Sequence, residues 1–83
     1  MTGDELRARR LAVGLTQEQL AVAIRRPVAT IRNWEQGRTR IEADGVLRYI
    51  LRSLDAEAAR YGADREGFLA SLPAFLGSDD PRS

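Results

Sequence analysis

From Thr16 to Gly37 the chain reads TQEQLAVAIRRPVATIRNWEQG, and this stretch decides the fold. Thr16 and Gln19 have the spacing of a capping box. In that arrangement the first hydroxyl accepts the third backbone N–H and the third side chain reaches back. Leu20, Ala21 and Ile24 then share one side of a helix running to about Ile24. Arg25-Arg26-Pro27 reads as a turn, because proline disfavours helical backbone at Arg26 yet suits the first turn of a following helix. A second helix spans about residues 27–36, with Ile31 and Trp34 inward and Gly37 as its stop.

Two short helices joined by so brief a turn form a helix-turn-helix pattern over about residues 16–36. A small residue has to sit where the helices cross, and Ala21 does. Ile31 anchors the second helix on the first, and Trp34 ties the pair to the rest of the domain. Upstream, Thr2 and Glu5 repeat the capping-box spacing, opening a helix to about Val13 whose Leu6, Arg10 and Val13 share a face. Gly14 is placed to close it in a left-handed conformation. Downstream, a charged loop from Arg38 to Glu42 leads to a helix of about Asp44 to Leu54. Its Val46, Leu47, Ile50, Leu51 and Leu54 read as heavily buried.

The C-terminal third carries two further starts. Asp55 has the character of a cap for a short helix ending before Gly62, and Asp64 of a cap for another. Phe68, Leu69, Leu72, Phe75 and Leu76 form an apolar stripe that has to cross Pro73, which predicts a bend near Ser71–Leu72. Residues 78–83 are expected to be a disordered tail. The reading is therefore all-α, a compact bundle of about five to six short helices, with residues 1–77 as one DNA-binding domain.

Composition narrows the chemistry. Without cysteine or histidine among its 83 residues, the chain lacks disulfides, thiolate metal ligands and the commonest general base. No Ser, Thr or Tyr has a histidine to activate it, no glycine loop is built for phosphate, and most carboxylates fit helix first turns. Neither an enzyme nor a cofactor or metal site is expected. No apolar run approaches a membrane span, so a soluble, cytoplasmic protein is expected, associated with the nucleoid when bound to DNA. All 13 cations are arginine, and they are unevenly placed. Residues 1–54 hold ten against six acids, whereas residues 55–83 hold three against six. Arginine's planar fork suits phosphate and guanine edges, which agrees with a basic N-terminal part facing nucleic acid.

Leu6, Arg10, Gly14-Leu15-Thr16-Gln17, Leu20-Ala21, Thr30-Ile31 and Trp34-Glu35-Gln36-Gly37-Arg38 together resemble the Cro and repressor helix-turn-helix proteins, the XRE family. The likeness covers about residues 4–54 without gaps. It implies a lambda-repressor-like fold and a DNA-binding transcriptional regulator. Residues 27–37 look most like HigA-type antitoxins and small autoregulators. The resemblance also implies a partly buried ion pair between Arg10 and Glu35. Two positions depart from the pattern. Arg25 stands where the family has glycine, and a left-handed non-glycine there costs about 1 kcal/mol unless the turn changes shape. Pro27 stands where the family has a Ser or Thr cap, so fixed φ has to begin the helix.

With Ile31 and Trp34 inward, Val28, Ala29, Arg32, Asn33 and Gln36 project outward on the second helix. Asn33 can pair bidentately with adenine and Arg32 with guanine, while Val28 and Ala29 can meet a thymine methyl. The family resemblance places base contacts at Val28, Ala29 and Asn33, and Arg32 can instead grip a phosphate. Phosphate contacts are expected from Gln17 at a helix N-terminus, from Arg38, Thr39 and Arg40 in the loop, and from Arg26 and Gln36. The expected partner is double-stranded DNA, bound as a homodimer on an inverted-repeat operator by a repressor or autoregulator. The alternative is an antitoxin or interaction module whose residues 55–77 hold a toxin or other protein. That stripe equally completes the core or forms the dimer interface.

Overall fold

The computed structural model describes residues 1–41 and 44–75. The described residues form five α-helices and one short 3₁₀ turn, with no strand among them. They are α1 (Gly3–Val13), α2 (Gln17–Ile24), α3 (Val28–Glu35), α4 (Asp44–Tyr61) and α5 (Arg65–Ser71), followed by a 3₁₀ turn at Leu72–Ala74. The expected helix-turn-helix is α2 and α3.

The local signals explain the first three helices. Thr2 accepts the N–H of Glu5 at the start of α1, but Glu5's carboxylate binds Arg9 and Arg48. At α2 the capping box is complete. Thr16 accepts from Gln19 N at 3.0 Å, and Thr16 N donates to Gln19 Oε1 at 2.9 Å. Gly14 ends α1 at φ 87°, a left-handed value that glycine adopts without a Cβ penalty. Arg25 ends α2 at φ 58° and ψ 45°, so the turn keeps the left-handed shape despite its non-glycine residue. Arg25 N donates to Val22 O and Arg26 N to Ala21 O, which closes the helix in a Schellman arrangement. Pro27 then caps α3 with φ −60° and makes no side-chain hydrogen bond, as its chemistry requires.

Leu6, Leu15, Leu20, Ile31, Leu51, Leu54 and Phe68 fill the centre, and their side chains are fully buried. α1 packs on α3 and α4, α2 packs on α3 and on the 3₁₀ turn, and α4 packs on α5. Gly3 permits one close approach. A Cβ there would run into the backbone carbonyls of Trp34 and Glu35, so the start of α1 seats directly on the end of α3.

The C-terminal part departs from expectation in two ways. α4 runs unbroken from Asp44 to Tyr61, so Asp55 is an exposed residue inside a helix rather than a cap. No glycine or proline interrupts residues 46–61, and Ala58 and Tyr61 continue the inner face set by Leu47, Leu51 and Leu54. Val46, expected inside, is 61% exposed, and Ile50 is only half-buried. One face of α4 meets the core, and Val46 lies a quarter-turn off that stripe. The bend at Pro73 is present as the change from α5 to the 3₁₀ turn. Phe68 and Leu72 close the core, while Leu69 and Phe75 pack half-buried against it. Leu76 and the expected tail at 78–83 lie outside the described residues, as does Glu42.

Candidate nucleic-acid interface

What fixes α3 is a buried fork of hydrogen bonds. Arg10 Nε donates to Glu35 Oε2 at 2.7 Å, Nη2 to Glu35 Oε1 at 3.0 Å, and Nη1 to the Leu15 carbonyl at 2.8 Å. Only 8% of the Arg10 side chain and 4% of Glu35's are exposed. One guanidinium thus ties α1, the α1–α2 turn and the end of α3 together. Burial pushes the Glu35 carboxyl up, but the hydrogen bonds from Arg10 and Gln17, with Arg10's charge, outweigh it and leave the pKa lowered. The ion pair implied by the family resemblance is therefore present. Gln17 takes part in it, because its Nε2 donates to Glu35 Oε1 at 3.1 Å. The Gln17 amide, expected on a phosphate, is used here inside the protein.

With Ile31 buried and Glu35 turned to Arg10, the opposite side of α3 is left for a partner. At about 100° per residue, Ala29, Arg32 and Gln36 fall within about 60° of one another. All three are exposed. Asn33 stands close to diametrically opposite Ile31, at the crest of the helix, and is half-buried against its neighbours. Val28 differs from its expected outward position. It is half-buried and packs against the core, so a part of its surface is lost to contact with other molecules.

Beyond the crest, toward α4, a cleft opens. Arg26, Asn33, Thr39 and Arg40 line it together with Trp34 and Val46. Four of the residues expected to touch DNA are thus gathered on one flank of α3, while Ala29, Arg32 and Gln36 occupy the other. Arg38 is exposed in the loop after α3. The cleft itself was not legible in the sequence. Trp34 read as inward and Val46 as buried, and the structure places both on the lining of one cleft.

A helix-turn-helix domain family model matches residues 3–66. The match starts where α1 starts and extends past α4 to the beginning of α5. The chain belongs to this helix-turn-helix family, consistent with the XRE-type resemblance, and domains of this family are typically DNA-binding and non-enzymatic. No curated protein and no solved structure gives a match. Among the described residues, no helix is long and apolar enough to cross a membrane.

Proposed function

We propose that the protein is a sequence-specific transcriptional regulator that inserts α3 into the major groove of double-stranded DNA. The observation that carries this reading is the pose of α3. Its inner side is locked by Ile31 and the Arg10–Glu35 pair, while Ala29, Arg32, Asn33 and Gln36 remain on the side away from the core. An exposed face on a rigidly held helix is what base reading requires, since a loose helix cannot hold bidentate geometry.

In this reading Asn33 and Arg32 address base edges and Ala29 a thymine methyl, with Val28 adding its uncovered edge. Arg26, Arg38, Thr39 and Arg40 run beside α3 and grip the phosphates of the flanking strand, with Gln36 assisting. Gln17 contributes the backbone N–H groups at the start of α2. Its side chain reaches a phosphate only by releasing Glu35. A homodimer places two such helices on inverted half-sites about one helical turn apart, and occupancy of that operator represses transcription, the protein's own included. The antitoxin reading has less to rest on. It needs the 55–77 stripe free for a partner, and Phe68 and Leu72 are spent in the core.

Selection from a random duplex library tests the proposal. Enrichment of paired inverted half-sites is the expected result, and folded protein that enriches nothing refutes it. On the selected site, Asn33→Ala should weaken binding by about 1–3 kcal/mol and leave random-sequence binding unchanged. An equal loss on both DNAs removes Asn33 from base reading.

A further inference from the structure

The cleft between α3 and α4 has a composition that phosphate gripping does not require. Its floor is apolar, formed by Trp34, Val46 and Ile50 among others. Its polar lining includes Arg26, Asn33 and Arg40 and, among the described residues, no carboxylate. Arg26 precedes α3 and Arg40 follows it, so two cations bracket a helix about 12 Å long. Among the described residues neither arginine makes an ion pair. A strand of DNA meeting this side offers charge to the arginines but little to Trp34, Val46 and Ile50. Water covers that apolar floor at a free-energy cost proportional to its area.

We propose that this cleft is a ligand site for a small amphipathic organic anion, and that its occupant competes with DNA. The ligand is an aromatic or aliphatic carboxylate or sulfonate with an apolar body of a few rings or an equivalent chain. The apolar body lies on Trp34, Val46 and Ile50, and the anionic group pairs with Arg26 or Arg40. Charge complementarity selects an anion, because the charged residues described in the cleft are both arginines. Competition follows from shared residues. Arg26, Asn33 and Arg40 cannot serve the ligand and the double helix at once, so binding of either weakens the other by the same factor. This inference rests on the DNA-binding reading for its regulatory consequence but not for the site itself.

The two parts are separable with one probe, 8-anilinonaphthalene-1-sulfonate, whose fused rings and sulfonate match the stated chemistry. Trp34 is the only tryptophan, so energy transfer from it to the probe reports binding to the domain, and the variants below place the probe. Saturable one-to-one binding is expected. Val46→Glu should weaken it at least tenfold, placing a carboxylate on the exposed wall without disturbing the core. Arg40→Glu should weaken it severalfold. Leu11→Glu, which removes another exposed apolar side chain outside the cleft, should leave it unchanged. Circular dichroism checks that all three variants fold. Non-saturable binding, or equal loss in Val46→Glu and Leu11→Glu, overturns the site. A random-sequence duplex at low salt should displace the probe from the wild type. Retention of the probe on DNA-bound protein overturns the competition. Failure to bind any duplex, with probe binding intact, refutes the DNA-binding proposal and leaves the ligand site standing.

Discussion

Around α1, α2 and α3 directed polar bonds are added to the apolar core of Leu6, Leu15, Leu20 and Ile31. Thr2 and Thr16 close helix starts, and Arg10 runs a buried fork to Glu35 and Leu15. From Asp44 onward the attachment is mostly apolar, through Leu47, Leu51, Leu54, Phe68 and Leu72. Among the described residues, the polar bonds from that half to the rest of the chain are made by Arg48, Arg65 and Asp44, from partly or fully exposed positions. The contrast separates two tasks. Apolar burial is non-directional and supplies stability, whereas a bidentate ion pair fixes one orientation and is costly to break. The directed bonds are concentrated where α3 has to keep its pose.

The strongest way to break that contrast is Arg10→Met. It strands the Glu35 carboxylate in a nearly closed site and should destabilise the fold by about 3–5 kcal/mol, read from denaturant unfolding. The companion Arg10→Met/Glu35→Leu pair should recover most of the stability, because two apolar groups of similar volume need no partner. Specific DNA binding should not recover with it if the ion pair serves to orient α3. Full recovery of both properties would reduce the fork to ordinary packing.

The same pair gives the domain an acid-sensitive part. The folded pKa of Glu35 is lowered, so its contribution is complete above the unfolded carboxyl value of about 4.3 and is lost as pH falls through the folded one. Glu5 shifts in the same direction. Arg9's hydrogen bond leads, desolvation opposes it, and Arg48 adds to the lowering. Stability should therefore fall below about pH 5 in the wild type. The decline should be shallower in Glu35→Gln, where Glu5 still titrates but the buried carboxylate does not. Parallel declines in the two proteins would remove Glu35 from the acid response.

In the apolar half, Leu72→Ala tests whether the C-terminal stripe belongs to the core. Leu72 is 2% exposed, and the loss should fall in the lower part of about 2–5 kcal/mol, since a one-turn helix can partly collapse onto the space. A change under about 0.5 kcal/mol is what surface positions give. Such a result would return the stripe to the pool of partner surfaces.

How much of this the sequence disclosed depends on how local each cause is. Thr16 with Gln19, Gly14 and Pro27 act within one turn of their own position, so α1, α2 and α3 were readable to within a residue or two. Asp55 was not, because an aspartate can cap a new helix or ride on the outside of a continuing one. The burial of Ala58 and Tyr61 on the inner face accompanies the second outcome. Val46 failed for a related reason. Five apolar residues in eleven announce a buried helix, but which of them lie off the contact stripe depends on where α1 and α5 sit. The seat of Gly3 on the end of α3 joins residues more than thirty positions apart, and nothing near Gly3 signals it. Gln17 carried a correct helix position and an unexpected partner, since Glu35 reaches it only once α2 and α3 are packed.

The smallest effect lies at the joint between α2 and α3, where the polar half departs from its own rule of satisfied local geometry. Arg25 holds φ 58° and ψ 45° with its side chain exposed. A side chain in that conformation costs about 1–2 kcal/mol relative to the ordinary helical region, and glycine avoids the penalty. Glycine also loosens the unfolded chain, which takes back about 0.4–1 kcal/mol. Arg25→Gly should therefore stabilise the domain by about 0.5 kcal/mol, a rise in Tm of roughly 2–4 °C for a domain of this size. A lower Tm would mean that the arginine contributes more to the turn than its backbone costs. If the rise appears while Kd for the selected operator is unchanged, the strain at Arg25 is not needed to aim α3. Its orientation then comes from the ion pair of Arg10, on α1, with Glu35 at the other end of α3.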